Sequence, residues 1–193
     1  MSKRANKKEH ILWTGLETLR AQGYNGTGVK DIVDAAGVPK GSFYNYFDSK
    51  EAFAIEALDA ASVKTLASYR DVLASPGKTP LEQLYLFFEF YADQACKDEF
   101  RVGCFFGNMC QEMSDSSDAI RVKVSQVLKQ ITALFENQLE LAKATNEIDQ
   151  SVNSHTTAEF MVNAWEGTLM RIKATQTREP LDAFLQLLPR IIR

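Results

Sequence analysis

Apolar side chains return every three or four positions along almost the whole chain, and strict alternation is almost absent. That period is helical. Leu12, Leu16 and Leu19 mark one face of a first helix, which the glycines of "AQGYNG" end. A short second helix fits Val29 to Ala36, with Ile32 and Val33 inward and Thr27 or Gly28 near its cap. "AGVP" then demands a turn, because Gly37 can take a positive φ and Pro39 cannot continue the helix before it. Pro39 suits the start of a third helix ending near Phe47, and Asp48 with Glu51 reads as a capping box for a fourth that reaches about Leu73. After "ASPGKTP", Thr79, Pro80 and Glu82 open a fifth. Further helices fit 101–114, 117–144, 155–175 and 181–192. The expected fold class is therefore all-α, about nine helices. A three-helix head over residues 1–48 precedes a larger helical domain over 49–193.

Composition narrows what such a chain can do. Of 193 residues 45% are hydrophobic and 24% charged, a soluble globular balance. "MSKRANKKEH" does not resemble a signal peptide, and no run of about 18 uncharged apolar residues occurs, so no membrane span and a cytoplasmic location are expected. Cys96, Cys104 and Cys110 are odd in number and lack CxxC spacing, which argues against a disulfide framework or a zinc site. No metal or cofactor is expected. His10 and His155 have no triad-like or HExxH company, and neither a P-loop nor GxGxxG occurs, so no enzyme is expected.

Charge is unevenly placed. Residues 1–50 hold eight Lys/Arg and five Asp/Glu, and the remainder 14 and 20, on a chain of net charge −3. A basic N-terminal piece on an acidic body fits a polyanion-binding head with another partner below it.

"GVPKGSFYNYFDSKE" sharpens this. On a helical wheel Phe43 and Phe47 share the face that must be buried. Gly41 and Asn45 then point away, with Ser42 beside them and Tyr44 and Tyr46 on the flanks. A small, amide-bearing face suits the DNA major groove, where Asn45 and Ser42 can bond base edges. Lys40 and the two phenols are placed for phosphates, as is Lys50 in the first turn of the fourth helix. Lys3, Arg4, Lys7 and Lys8 form a basic arm that can add non-specific affinity. A protein partner for the exposed aromatics is the alternative.

"TGVKDIVDAAGVPKGSFYNYFDSKEAF" resembles the DNA-binding signature of the TetR family of bacterial transcription regulators, densely over about residues 10–55. The resemblance implies a homodimer whose recognition helices enter successive major grooves of a near-palindromic operator. It implies DNA contacts from Lys40, Gly41, Ser42, Tyr44, Asn45, Tyr46 and Lys50; Thr27, near the cap of the second helix, is a further candidate contact. Gly28, Pro39 and Tyr46 depart from residues frequent in the family at those positions.

The larger domain carries the effector question. Phe87 and Tyr91, then Phe105 and Met109, then Met161 and Trp165 supply more large side chains than a small bundle needs. Each is also ordinary core material. With Asn108, Glu112, Glu166 and Cys104 they form a candidate ligand set for a small apolar or electrophilic effector. Cys104, expected in the first turn of a helix after Arg101, could sense electrophiles if Lys173 approached it. "GC" followed by apolar residues, and "KATQTREPL" downstream, are similar to the subgroup repressing N-ethylmaleimide reductase. Leu181, Phe184, Leu185, Leu188, Ile191 and Ile192 make an apolar stripe expected to pair with a second copy, and the fourth helix is the expected mechanical link. A repressor released by its effector is the expected function; an activator, or a helical adaptor without a DNA role, are the alternatives.

Overall fold

The computed structural model describes residues 3–101 and 103–192. Val102, inside the helix expected over 101–114, and the side chain of Lys3 lie outside the described residues. Among the described residues there are nine helices and no strand. In chain order they are α1 (Lys3–Gly26), α2 (Val29–Ala35), α3 (Lys40–Tyr44), α4 (Lys50–Leu73), α5 (Pro80–Lys97), α6 (Phe105–Met113), α7 (Asp118–Ala144), α8 (Ser154–Thr175) and α9 (Glu179–Ile191). None is long and apolar enough to cross a membrane.

The turn between α2 and α3 forms as its residues dictate. Gly37 adopts φ 63, its N–H donates to the Asp34 carbonyl at 3.1 Å, and the Val38 N–H reaches back to Val33 at 3.0 Å. Those two bonds satisfy the last carbonyls of α2 and stop it. Pro39 then sits at the N-cap of α3, one place earlier than expected, and α3 is correspondingly short. The cap of α4 also moves by one residue: the Ser49 hydroxyl, not Asp48, accepts the Ala52 N–H at 3.0 Å. Thr79 and Glu82 make the reciprocal cap expected for α5, at 3.3 and 3.0 Å.

α6 begins later than the periodicity suggests. Glu99 and Phe100 take φ 52 and 60, and the Phe100 N–H returns to Ala95 at 2.9 Å. This turn closes α5 with non-glycine residues, which no sequence signal marks. Cys104 consequently precedes α6 instead of lying in its first turn.

Two compact units divide the chain: Met1–Lys64 with Phe105–Gln126, and Thr65–Cys104 with Val127–Arg193. In the first, Ile11, Leu16, Ile32, Phe43, Phe47 and Phe53 are wholly or almost wholly buried. In the second, Phe88 is the hub of a ring cluster, with centroids 5.2 Å from Phe135, 5.2 Å from Trp165 and 4.9 Å from Phe184.

The α9 stripe needs correction. Leu181, Phe184, Leu188 and Ile192 are buried within the single chain, and Leu185 and Ile191 are half-buried. Phe184 is taken up by Phe88 of α5 and Trp165 of α8. The apolar side chains left outside are Leu187 on α9 with Phe160 and Met170 on α8, which are 51%, 53% and 62% exposed.

Candidate functional site

A five-residue helix cannot hold itself together in water, so α3 exists because its rings are anchored. The Phe43 ring lies 5.2 Å from Phe47 and 5.6 Å from Phe53, and Phe47 and Phe53 meet edge to face at 5.0 Å. With Phe43 and Phe47 fixed inward, Lys40, Gly41, Tyr44 and Asn45 are exposed, and Ser42 and Tyr46 half-exposed. The six residues that the wheel placed on one surface are thus brought together there. Gly41 is informative. A Cβ at this position would meet nothing within 4 Å, and its φ is not in the left-handed region. Neither packing nor backbone demands glycine, although it costs a helix about 1 kcal/mol relative to alanine. The missing side chain matters only to something approaching from outside.

Two other expected contacts are committed inside the protein. Thr27 is buried, and its hydroxyl donates to the Gly23 carbonyl at 2.7 Å, so it offers no side chain to a partner. Lys50 donates its Nζ to the carbonyls of Tyr24 (2.8 Å) and Thr27 (2.9 Å) and lies 3.9 Å from the Tyr24 ring centroid. Burial pushes its pKa below that of a free lysine, while the charge of Glu112 acts the other way. The basic arm is the first part of α1. Arg4 lies over the Tyr46 ring at 6.0 Å, Lys7 is exposed, and Lys8 is paired with Glu56 at 2.6 Å.

The candidate ligand set divides between the units. In the first, Phe105 is buried with Arg20 over its ring at 5.5 Å, Met109 is buried, and Asn108 is half-buried. Glu112 accepts the Asn25 N–H at 2.8 Å, a contact that sequence spacing gave no means to find. In the second, Phe87, Met161 and Trp165 are core residues, with Phe87 4.7 Å from Tyr91 and 5.0 Å from Phe135. Tyr91 and Ser68 share a hydrogen bond of 2.9 Å. Two grooves in this unit are lined by other residues. One, about 400 Å³, runs beside Ser68, Asp71, Leu86 and Phe90. The other, about 350 Å³, lies along the outer faces of α8 and α9.

Cys104 is half-buried, and its thiol is hydrogen-bonded to the Glu166 carboxyl. An electrophile sensor calls instead for a cation or a helix N-terminus at its thiol. Lys173 is exposed in the last turn of α8, two turns beyond Glu166. Burial pushes the Glu166 carboxyl above the usual carboxylate range, and the Cys104 thiol partly offsets this. The folded chain then holds this proton to higher pH than the unfolded chain. Its contribution to stability is complete below the unfolded range, near about pH 4, and is lost as pH rises through the raised folded value. Glu166→Gln keeps an acceptor for the thiol and removes the titration. Its melting temperature should exceed that of the parent at pH 7 and converge with it in acid; a difference constant across pH would refute this account.

The outer groove adds what the sequence reading missed. Phe160, Ala164, Gly167 and Arg171 recur along one face of α8, and Pro180, Ala183, Leu187 and Ile191 along one face of α9. The signal was present as a second helical stripe on α8, masked by the buried one through Met161, Trp165 and Ile172.

Comparison with known proteins bears on the family and the fold. Residues 11–57 match the family model described as bacterial regulatory proteins, tetR family, and residues 80–188 the tetracyclin repressor-like C-terminal domain. The chain is 31% identical over 178 residues to the HTH-type transcriptional repressor DhaR of Mycobacterium sp. (strain GP1), covering 92% of this chain and 88% of that protein. Among solved structures, a regulatory protein TetR from Rhodobacter sphaeroides superposes with a TM-score of 0.87 at 30% identity, covering 95% of this chain and 97% of that one. The reduced form of E. coli NemR gives 0.84 at 25% identity, with 96% and 97% covered.

Proposed function

The chain belongs to the TetR family of bacterial regulatory proteins, and on that premise we propose that it represses transcription by binding a near-palindromic duplex operator as a homodimer. In this reading residues 1–48 are the DNA-binding domain and 49–193 the effector-binding and dimerisation domain, working in the cytoplasm. Lys40, Gly41, Ser42, Tyr44, Asn45 and Tyr46 meet the duplex: Ser42 and Asn45 read base edges, and Lys40 and the phenols hold phosphates. Lys50 supports them from inside, through the carbonyls it holds. The observation that carries this reading is the exposed Gly41–Asn45 face over a buried Phe43 and Phe47.

The effector is a small apolar molecule taken up in the second unit, where Tyr91, Cys104 and Glu166 are the polar groups beside the aromatic core. The carboxyl partner of Cys104 supports an apolar effector over an electrophile. α4 and α7 each contribute residues to both units as continuous helices, so a shift in one unit reaches the other through them. An effector releases DNA by binding the DNA-incompetent state better, by about 1–3 kcal/mol for typical coupling.

Selection from a random-sequence duplex pool tests the reading. The parent chain should enrich a near-palindrome and lose affinity steeply as salt rises. Asn45→Ala should relax preference at one or two base pairs by about tenfold or more while leaving low-salt non-specific binding intact. Uniform weakening on every sequence would mean that Asn45 touches phosphate. No enrichment at all would overturn the DNA role.

A further inference from the structure

α1 is bent near its end: Gly23 stands at φ 75, ψ 169 within it. Backbone groups at and after the bend are taken by two charged side chains from elsewhere in the first unit. Lys50, which opens α4, holds the carbonyls of Tyr24 and Thr27 at 2.8 and 2.9 Å. Glu112, on α6, accepts the Asn25 N–H at 2.8 Å. A Cβ on residue 23 would stand 2.4 Å from Glu112 Oε1, so any side chain there would displace the carboxylate as it is placed, and φ 75 itself favours glycine. Glu51, next to Lys50, in turn accepts a hydrogen bond from the Ser117 hydroxyl, which itself accepts the Ile120 N–H at the start of α7.

The bend lies immediately ahead of the DNA-reading elements. Gly28 is the N-cap of α2, and its N–H donates to Asp31 at 2.7 Å. α3 follows after the short Gly37 turn. Any slack at Asn25–Thr27 therefore moves the start of α2, and with it the helix carrying Asn45. Charge-assisted bonds are the stronger kind, and here they hold backbone, which leaves little slack.

We propose that Glu112 is a positioning residue for DNA reading: with Lys50 it clamps the Gly23 bend, making α6 part of the body that aims α3, so that a shift of α6 is passed to α2 through Asn25. This rests on the DNA-reading role of α3 proposed above. It assigns Glu112 to the transmission of a signal, in place of the ligand contact expected from sequence.

The test uses the full chain with Glu112→Ala, Glu112→Gln and Gly23→Ala. It measures affinity for the duplex that the parent selects from a random pool, affinity for an unrelated duplex, and hydrogen exchange of the amides of residues 25–36. Glu112→Ala should weaken the selected duplex about tenfold, leave the unrelated one within about twofold, and speed exchange from Asn25 to Ile32. Glu112→Gln should restore most of the lost affinity and protection, because its amide oxygen still accepts the Asn25 N–H. Gly23→Ala, which strains the backbone at φ 75 and displaces the carboxylate, should loosen the same segment and reproduce the alanine phenotype. The proposal is overturned if Glu112→Ala keeps both the affinity ratio and the exchange rates of the parent, or if glutamine fails to rescue. A parent chain that selects no duplex would remove the DNA role of α3, and the exchange comparison would then decide by itself whether Glu112 holds the bend.

Discussion

Phe43→Ala should destabilise the first unit by about 3–5 kcal/mol and abolish sequence-selective DNA binding together. The ring is fully buried and meets Phe47, Phe53 and Tyr44 at 5.2, 5.6 and 5.3 Å. Truncation removes those contacts and leaves a cavity beside the Phe47–Phe53 pair. The functional loss follows from the shortness of α3. Without its anchor, Lys40–Tyr44 has too few hydrogen bonds to persist as a helix, and the Gly41–Asn45 face loses its geometry. Urea unfolding of the first unit can be followed in a Trp165→Phe background, where Trp13 is the one tryptophan left. The Trp13 signal should shift to much lower urea. Tyr44→Ala is the contrast: its side chain is 55% exposed, so stability should barely change while DNA affinity falls. A Phe43→Ala chain that costs under about 1 kcal/mol would show that α3 is held by something other than its rings.

What the sequence made legible was what depends on neighbours three or four residues away. The inward Phe43 and Phe47, the outward Gly41 and Asn45, the Gly37 turn and the Thr79–Glu82 cap are all local statements, and the structure has them in place. Long-range commitments were not legible. The sequence places Lys50 for a phosphate, yet its partners in the fold are carbonyls 23 and 26 residues away. Thr27 is the local exception: its hydroxyl turns back to the Gly23 carbonyl four residues away, a bond that the bend at Gly23 hides from a helical reading. Glu112 looked like a ligand contact because α6 is apolar around it, and its partner lies 87 residues back. Helix α6 was begun at Arg101 since no rule gives Glu99 and Phe100 a left-handed backbone. For α9, counting apolar residues could not say which would be covered by Phe88 and Trp165 and which left outside.

That remaining face carries the second large effect, in the interface between copies that we propose. Leu187→Glu, on its own or with Phe160→Glu, should convert the dimer to a monomer and remove binding to a full palindrome. Phe160, Met170 and Leu187 are half or more exposed, and they border a groove of about 350 Å³ between two parallel stripes of apolar and small residues. Ala164 and Gly167 hold the surface low between them, and a Cβ at Gly167 would meet nothing within 4 Å. Two helices with low, apolar outer faces suit the same pair from a second copy, packed about a two-fold axis. In such an interface each substitution acts twice. Two glutamates are driven into the apolar part of the interface, which should weaken association at least about a hundredfold. The single chain should fold unchanged, because none of the three side chains is part of its core. Sedimentation velocity at micromolar concentration measures the first effect, and binding to full and half palindromes the second. A full-site affinity reduced to that of a half-site is the expected result, since one subunit then finds its groove without the other. If Leu187→Glu and Phe160→Glu together leave a stable dimer, α8 and α9 do not form the interface and the groove must serve another partner.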